Sequence, residues 1–437
     1  MKKIMLLVLF SVALGAQSSI ISNLPIPKTY IQDLDPYECD EYCMQNYLDN
    51  GMIFSFLARA TRKLENKEQD EVRVLNISIL NLGSYVKNAE VKVAMLLPYN
   101  KIGKYSSSTI NAVFAYLMTR GHPFELRSYK IEDENEEEMR RALSLISSDG
   151  FDYVIAPVTE QGAQSIINID SDLNVYIPTI NKKDVSTNSP YLVFGAIDYK
   201  AQADLLMQEA VSPLVIFSDT SATGKKLALY QEETFKYTKL NETVMNGEEE
   251  VTREIKVLNP QRDVIKYYIS GVTTNLENYL KENEKIVNAT FFINTPIVKS
   301  GMIMSQLTLY DANATNVLST QVNYDPLLLS MTQYSDRKDM VVANSITQNN
   351  NILTETNSLL GSDIVYDWIN YATTIGIDYI FNQLTNEDRE YNVKVEENQM
   401  RYDIELLQPS VSRFISYSHI DREALIEEEL VGEKTQN

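Results

Sequence analysis

The side chains that most often perform catalysis are scarce in this 437-residue sequence. Its two histidines, His122 and His419, lie far apart in the chain, which leaves little material for a Ser-His-Asp triad or a histidine-ligated metal. The Gly-x-Ser-x-Gly nucleophile motif is absent, and so is a glycine-rich phosphate loop. Carboxylate pairs are frequent, but chance produces them in so acidic a chain. We therefore expect no catalysis, no metal site and no cofactor.

The two cysteines, Cys39 and Cys43, have Cys-x3-Cys spacing on a predicted helix. Exported proteins commonly carry disulfides, which favours a bridge between them. A regular helix, however, holds residues i and i+4 in a geometry that is awkward for a disulfide. A bridge and two reduced thiols therefore both remain open, whereas a metal site without a nearby histidine is disfavoured.

The first residues of the chain have the order of a cleaved signal peptide. Lys2 and Lys3 precede an apolar stretch over residues 4–12 that is too short to span a bilayer, and small residues follow at 13–16. This order predicts export to the periplasm with removal of residues 1–16, and an uncleaved anchor helix is the alternative. No later segment reaches transmembrane length, so we expect no integral membrane segment in the mature chain.

The net charge of −21 narrows the set of partners. Phosphate recognition needs clustered Lys and Arg, so nucleic acid is not an expected partner. The same acidity disfavours anionic lipid surfaces. The acidic run at residues 132–138 invites a cation site, but a solvated loop and first helical turn is the simpler interpretation, because acids suit the positive end of a helix dipole.

The chain before residue 91 is predicted to be a small helical region. Residues 36–48 and 52–64 have the pattern of a helical hairpin, and we assign residues 17–70 to a polar leader and this hairpin. Residues 72–80 alternate in polarity, which predicts a strand within a connecting segment at 71–90.

Residues 91–100 organise the rest of the chain. They form a nearly continuous apolar run closed by Pro98, which is typical of a strand covered on both faces of a parallel sheet. The serine- and threonine-rich stretch at 106–109 then opens an apolar-periodic helix that stops near Gly121. Strands and helices alternate in this way twice, which predicts an α/β fold with two lobes, each a parallel sheet with helices on both faces.

The predicted lobes exchange segments of the chain. The first lobe takes residues 91–198 with part of about 335–390, and the second takes 199–334 with about 398–420. The lobes are joined by three crossings, near Gly195, near Tyr334 and after Thr385. A helix at 260–267, a polar mobile insertion at 241–252 and an acidic tail at 421–437 complete the prediction.

Polar side chains follow several of the predicted strands. Ligands of parallel α/β sheets collect beyond the carboxyl ends of the strands, where helix N-termini and loop hydroxyls converge. The alternative is that these residues are helix caps and turns. The candidate ligand-binding residues are Tyr99, Ser106, Ser107, Thr159, Thr179, Asn181 and Asp219.

Three phrases resemble the type I periplasmic binding proteins. They are Val-Ala-Met-Leu-Leu-Pro at 93–98, Asp-Tyr-Val-Ile-Ala-Pro-Val at 152–158 and Ile-Pro-Thr-Ile-Asn at 177–181. The layout through Trp368 is similar to the penicillin-binding protein activator branch, whose outer-membrane lipoproteins use this fold without solute transport. The resemblance implies a two-lobed fold. Loop hydroxyls, backbone amides and acids grip the ligand α-carboxylate and α-amine in the amino-acid receptors of this fold.

Two functions follow as expectations. We favour a non-enzymatic periplasmic scaffold for protein interactions in cell-envelope machinery, with envelope proteins as partners. The candidate hydroxyls lack a clear charge partner for a zwitterion, and the 27 tyrosines suit protein interfaces. The alternative is a periplasmic receptor for a small solute such as an amino acid.

Overall fold

The computed structural model describes residues 31, 33, 39–80, 91–246 and 249–417. The predicted signal peptide at 1–16, most of the leader and the predicted acidic tail at 421–437 lie outside the described residues.

The helices and strands are named here in chain order. The helices are α1 Glu41–Asp49, α2 Ile53–Arg59, α3 Lys67–Ile79, α4 Tyr99–Ile102, α5 Tyr105–Thr119, α6 Glu136–Ser148, α7 Glu160–Ile169, α8 Tyr199–Leu206, α9 Ala222–Lys236, α10 Glu277–Leu280, α11 Ile297–Leu309, α12 Pro326–Met331, α13 Tyr334–Arg337, α14 Asn351–Leu359 and α15 Trp368–Thr385. The strands are β1 Val91–Pro98, β2 Phe124–Ile131, β3 Tyr153–Ile155, β4 Asn174–Ile177, β5 Leu192–Phe194, β6 Leu214–Asp219, β7 Tyr237–Asn246, β8 Glu249–Leu258, β9 Val264–Ile269, β10 Thr290–Asn294, β11 Asn316–Ser319, β12 Met340–Asn344, β13 Lys394–Glu396, β14 Gln399–Arg401, β15 Glu405–Pro409 and β16 Phe414–Ser416.

The first three helices form an N-terminal unit with its own small core. Met44, Phe56, Leu57 and Ala60 are buried in it. The predicted strand at 72–80 is wrong, because residues 72–79 belong to α3.

The start of α3 explains this error. Asn66 Oδ1 accepts hydrogen bonds from the backbone N–H groups of Glu68 (3.1 Å) and Gln69 (3.3 Å), as an N-cap does. Asp70 adds a carboxylate in the first turn, where the helix dipole favours it. These local helix signals outweigh the short alternation in polarity that follows them.

Cys39 and Cys43 form a disulfide, with Cα atoms 5.3 Å apart. Cys39 precedes α1, which begins at Glu41, so the pair does not lie within a regular helix. The Asp40 side chain caps the helix by accepting a hydrogen bond from the Cys43 N–H at 2.9 Å. The i, i+4 geometry of a regular helix, which is awkward for a disulfide, therefore does not constrain this pair.

The remaining chain forms two seven-stranded sheets and one two-stranded sheet. The first sheet has the order β13-β14-β5-β4-β3-β1-β2. Each strand pairs in parallel with its neighbour, except that β13 and β14 are antiparallel to each other. The second has the order β16-β15-β12-β11-β10-β6-β9, and only the β16–β15 and β15–β12 pairs are antiparallel. We call these sheets with their helices the first and second lobes.

Strand β1 is buried on both faces, as its apolar run predicts. Val93 and Met95 lie in a core with residues of α5 and α15. Ala94 and Leu96 lie in a second core, on the other face, with residues of α6 and α7. The second lobe likewise has two separate cores. The predicted α/β fold with two lobes is confirmed.

The chain passes between the sheets three times: after Phe194, after Asn344 and after Arg401. The first crossing lies beside the predicted position at Gly195. The predicted crossing near Tyr334 is wrong, because β12 continues the parallel second sheet.

The pairing of β12 and β14 shows where the lobe boundaries lie. Met340 is opposite Val317 of β11, and Val342 is buried in the second-lobe core. Gln399 of β14 pairs with Phe194 of the first sheet. Residues 340–344 therefore belong to the second lobe and residues 399–401 to the first, the reverse of the prediction.

Two elements after α9 also differ from the prediction. The expected insertion at 241–252 lies within the antiparallel hairpin of β7 and β8, in which Tyr237 is opposite Leu258. The expected helix at 260–267 is wrong because β9 pairs in parallel with β6, from Val264 opposite Leu214 onwards. The β-branched and aromatic residues of β9 suit a strand, and β9 lies at the edge of the second sheet.

Candidate functional site

The two lobes contact each other near two helix N-termini. Helix α7 follows β3 in the first lobe, and α9 follows β6 in the second. Lys226 Nζ of α9 lies 2.8 Å from Glu160 Oε2 at the start of α7, and both side chains are largely exposed. These N-termini lie beyond the carboxyl ends of the strands, where this class of fold binds its ligands.

The N-terminus of α7 is occupied by a carboxylate of the chain itself. Glu134 is fully buried. Its Oε1 accepts a hydrogen bond from the Thr159 N–H at 2.8 Å, and its Oε2 accepts one from the Gly162 N–H at 3.2 Å. The Thr159 hydroxyl also donates to Oε2. A helix N-terminus is a natural anion site, and here Glu134 fills it.

The surroundings of Glu134 are built to hold it. Ser165 Oγ donates to the Glu134 carbonyl oxygen at 2.7 Å. A Cβ atom on Gly162 would lie 2.8 Å from Glu134 Cδ and 2.8 Å from Val158 Cβ, so only glycine leaves room for the carboxylate. The solvated loop predicted for residues 132–138 is therefore wrong at Glu134. The first helical turn predicted in the same run is confirmed in α6, whose first turn carries three glutamates and is capped by Asn135.

The N-terminus of α9 is capped from its own neighbourhood. Ser221 Oγ accepts a hydrogen bond from the Gly224 N–H at 3.0 Å. Asp219 Oδ1 accepts from the Ser221 N–H at 3.2 Å and from its hydroxyl at 2.6 Å. Asp219 is therefore engaged in this cap.

The predicted serines make local hydrogen bonds. Ser106 is buried, and its hydroxyl donates to the Gly103 carbonyl oxygen at 2.8 Å. Ser107 is exposed, and its hydroxyl donates to the Lys104 carbonyl oxygen at 3.1 Å.

Thr179 and Asn181 also bond within the first lobe. The Thr179 hydroxyl donates to the Val158 carbonyl oxygen. Asn181 is buried, and its Nδ2 donates to the Ala196 carbonyl oxygen at 3.1 Å while its Oδ1 accepts from the Lys183 N–H at 3.1 Å. Asn181 thereby ties the loop after β4 to the first crossing.

Tyr99 begins α4 directly after β1, and Lys130 Nζ lies 4.7 Å from the centre of its ring. The structure thus brings Thr159 together with Glu134, and Asp219 together with Ser221. The other predicted residues make hydrogen bonds or ring contacts within the first lobe, and their role in ligand binding stays a prediction.

Aromatic rings connect the two lobes. Tyr199 of α8 lies 6.1 Å from Trp368 of α15, measured between ring centres. Tyr324 packs against the apolar cores of both lobes and lies 5.1 Å from the ring of Tyr366. Burial raises the pKa of Tyr324 to about 12, so this ring stays neutral at physiological pH.

A carboxylate caps α15 beside these rings. Asp367 accepts a hydrogen bond from the Ile369 N–H at 3.1 Å. Burial raises the pKa of the Asp367 carboxyl, and Lys104, whose Nζ lies 3.4 Å from Oδ2, opposes the shift.

The crossings are tied down by buried hydrogen bonds. Gln202 Nε2 donates to Ser345 Oγ at 2.7 Å, and Gln202 Oε1 accepts from the Gln321 N–H at 2.9 Å. The Tyr402 hydroxyl donates to the Gly195 carbonyl oxygen at 2.6 Å, which joins the third crossing to the first. Sequence reasoning missed these partners, because each pair is far apart in the chain.

Two features are absent from the described residues. No group of three or more His, Cys, Asp or Glu side chains there is placed to hold a metal ion. No helix in that part of the chain has the length and apolar content needed to cross a membrane.

Comparison with known proteins gives similarity in structure only. No protein-family model and no curated protein matches the chain. The chain is similar to the branched chain amino acid ABC transporter periplasmic ligand-binding protein from Burkholderia xenovorans LB400, with a TM-score of 0.53 and 12% identity over 77% of this chain and 96% of that one. It is similar to the branched-chain amino acid transporter substrate binding protein LivJ from Streptococcus pneumoniae, solved with isoleucine (TM-score 0.50, 9% identity, 75% of this chain, 99% of that one).

A third similar structure is the C-domain of LpoA from Haemophilus influenzae, described as a regulator of PBP1A. Its TM-score is 0.47 and its identity 8%, over 75% of this chain and 100% of that one. The similarity to the two transporter proteins covers about three quarters of this chain. The chain therefore has a two-lobed type I periplasmic binding protein-like fold.

Proposed function

We propose that this protein is a non-enzymatic, exported scaffold for protein interactions in the cell envelope. The observation that carries the proposal is the position of Glu134. An amino-acid receptor needs an anion site for the α-carboxylate of its ligand. At the N-terminus of α7, the chain's own carboxylate already takes the Thr159 N–H, the Thr159 hydroxyl and the Gly162 N–H.

Displacing Glu134 to admit a solute would be unfavourable. A fully buried carboxylate that leaves its donors must find new ones or return to water, and its backbone donors must be matched again by the solute. The exchange of one carboxylate for another yields little net binding. This argues against an amino acid bound at this position.

The structure also carries elements that a small-solute receptor does not need. The α1–α3 unit with its disulfide precedes the lobes, and the β7–β8 hairpin forms a separate two-stranded sheet. Extra elements of this kind provide surface for protein partners. Export is supported by the signal-like order of residues 1–16, and the disulfide suits an oxidising compartment.

Two measurements on the purified mature protein test the proposal. The first is affinity capture from envelope extract, in which we expect one or more envelope proteins to be retained reproducibly. The second is a thermal-shift screen with amino acids and other small solutes, in which we expect no shift of the melting temperature. A shift of several degrees with one solute, lost in Thr159→Ala or Ser107→Ala, would instead establish a solute receptor.

A further inference from the structure

Two of the three crossings pass from one lobe to the other within a few residues. At the second crossing, the Ser345 N–H donates to Gln321 Oε1 of the second lobe at 2.6 Å, and the next residue, Ile346, is buried in the core of the first lobe. At the third, Tyr402 packs against the first-lobe core and Ile404 against a second-lobe core. These crossings therefore contain little chain that could bend.

The backbone of the first crossing is bonded to its surroundings. The Gly195 carbonyl oxygen accepts a hydrogen bond from the Tyr402 hydroxyl of the third crossing at 2.6 Å. The Ala196 carbonyl oxygen accepts from Asn181 Nδ2 at 3.1 Å and from Gln399 Nε2 at 3.0 Å. A hinge residue has to change its backbone dihedral angles, and here that change would leave buried polar groups without partners.

The ring of Tyr176 fills the space between the first crossing and helix α15. It is 2% exposed, and its hydroxyl donates to the Ala372 carbonyl oxygen of α15 at 2.7 Å. A Cβ atom on Gly195 or on Gly376 of α15 would overlap this ring, so the close contact needs glycine on both sides. Tyr176 thus packs the first crossing tightly against the first lobe.

A buried amide network holds the second crossing. Gln321 Nε2 donates to Asn344 Oδ1 at 2.9 Å, and Asn344 Nδ2 donates to the Ile346 carbonyl oxygen at 2.9 Å. Gln202 of α8 joins the network through its bond to Ser345 Oγ. The four polar residues of this network are all at most 3% exposed. Such a network is stable only while every member keeps its partners.

Proteins with two lobes can close around ligands by bending at the segments that join the lobes. In this chain those segments are buried and hydrogen-bonded. We propose that the three crossings hold the two lobes at one fixed angle, so that the protein presents a single, preformed surface across both lobes. A fixed angle is a property of the lobes alone and does not depend on the scaffold function proposed above.

The test measures the distance between the lobes by double electron–electron resonance. Spin labels are attached at Glu137→Cys of α6 and Lys225→Cys of α9, which are exposed, while the chain's own cysteines are paired in the disulfide. We expect one narrow distance peak. Tyr402→Phe with Gln202→Met removes bonds from all three crossings, and we expect the peak to become at least about twofold wider, because the freed segments can bend.

The matched control is Tyr129→Phe with Gln231→Met, which makes the same chemical changes within single lobes. The Tyr129 hydroxyl donates to Asp149 Oδ2 at 2.7 Å in the first lobe, and Gln231 exchanges hydrogen bonds with Asn294 in the second. We expect the width of the distance peak to stay as in the unchanged protein.

Hydrogen exchange of the unchanged protein gives a second measurement that needs no variant to fold. We expect the amides of Gly195 and Ser345 to exchange as slowly as those of strand β1, because they are held by buried bonds. Four results would overturn the fixed angle: a broad or double peak in the unchanged protein, no widening in the variant at 402 and 202, equal widening in the control, or fast exchange at residues 195 and 345.

Discussion

Two helix N-termini meet where the lobes touch, and they are satisfied in different ways. At α7 in the first lobe, the fully buried Glu134 reaches across from the loop before α6 and accepts three hydrogen bonds. At α9 in the second lobe, Ser221 and Asp219 make a cap of short sequence range that is partly exposed. The same physical need, an acceptor at the positive end of a helix, is met once by tertiary structure and once by local sequence.

The two caps should differ in the free energy that is needed to open them. A local cap can be rearranged at small cost, because its groups find water when they open. The Glu134 cap links three elements, and its carboxylate has no exposed alternative. We therefore expect α7 to behave as part of the first-lobe core and α9 to tolerate change.

The largest effect should follow removal of the distant cap. Glu134→Ala leaves the Thr159 and Gly162 N–H groups without their acceptor, and we expect a loss of about 3 kcal/mol in the free energy of unfolding, measured by urea denaturation. Acetate should raise the melting temperature of this variant more than chloride at the same ionic strength, because a free carboxylate can enter the empty position. Glu137→Ala, in the exposed first turn of α6, is the control and should lose little.

Two glycines give the next comparison. A Cβ on Gly162 meets the buried Glu134 carboxylate and Val158. Gly162→Ala should therefore lower the free energy of unfolding by about 2 kcal/mol. A Cβ on Gly224 would lie 2.1 Å from Asp219 Oδ1, but that side chain is partly exposed and can turn away. Alanine also gains helix propensity, so Gly224→Ala should change stability by about 1 kcal/mol or less. Equal losses in the two variants would remove the proposed distinction.

The local cap at Ser221 should contribute less to the free energy of unfolding than the distant cap at Glu134. Ser221→Ala removes the acceptor for the Gly224 N–H, and such N-cap losses cost about 1 kcal/mol. Chemical denaturation of this variant beside Glu134→Ala gives the ratio of the two losses in the free energy of unfolding. A loss in Ser221→Ala as large as in Glu134→Ala would contradict the comparison.

The smallest effect concerns the ion pair between the two helices. Lys226 and Glu160 are mostly exposed, so a double-mutant cycle with Lys226→Ala and Glu160→Ala should give a coupling of about 0.5 kcal/mol or less. The coupling should fall further in high salt. A coupling above about 2 kcal/mol would mean that the pair holds the lobes together, against our expectation.

Sequence reasoning predicted the parts of the fold that have local signals. The apolar run of β1 is buried on both faces, and the doubled alternation of strands and helices forms two lobes. It failed where strand pairing or a helix cap determines the structure. The predicted helix at 260–267 is wrong because β9 pairs with β6 at the edge of the sheet. The predicted strand at 72–80 is wrong because the N-cap at Asn66 starts helix α3.

The candidate site was predictable only in part. Thr159 and Asp219 were placed correctly beyond the ends of strands, because that position follows from the α/β pattern. Glu134 was assigned to a solvated loop, because its neighbours in sequence are acidic and its partners are distant. A fully buried carboxylate in an acidic run has no sequence signal of its own.

The central claim is that Glu134 leaves no room for a solute carboxylate at α7. The most direct measurement is a thermal-shift screen of the purified protein against amino acids and small carboxylates, run beside Glu134→Ala. We predict no shift for the unchanged protein and a shift with small carboxylates for Glu134→Ala. A shift of several degrees for the unchanged protein with one amino acid, abolished by Thr159→Ala, would contradict the claim.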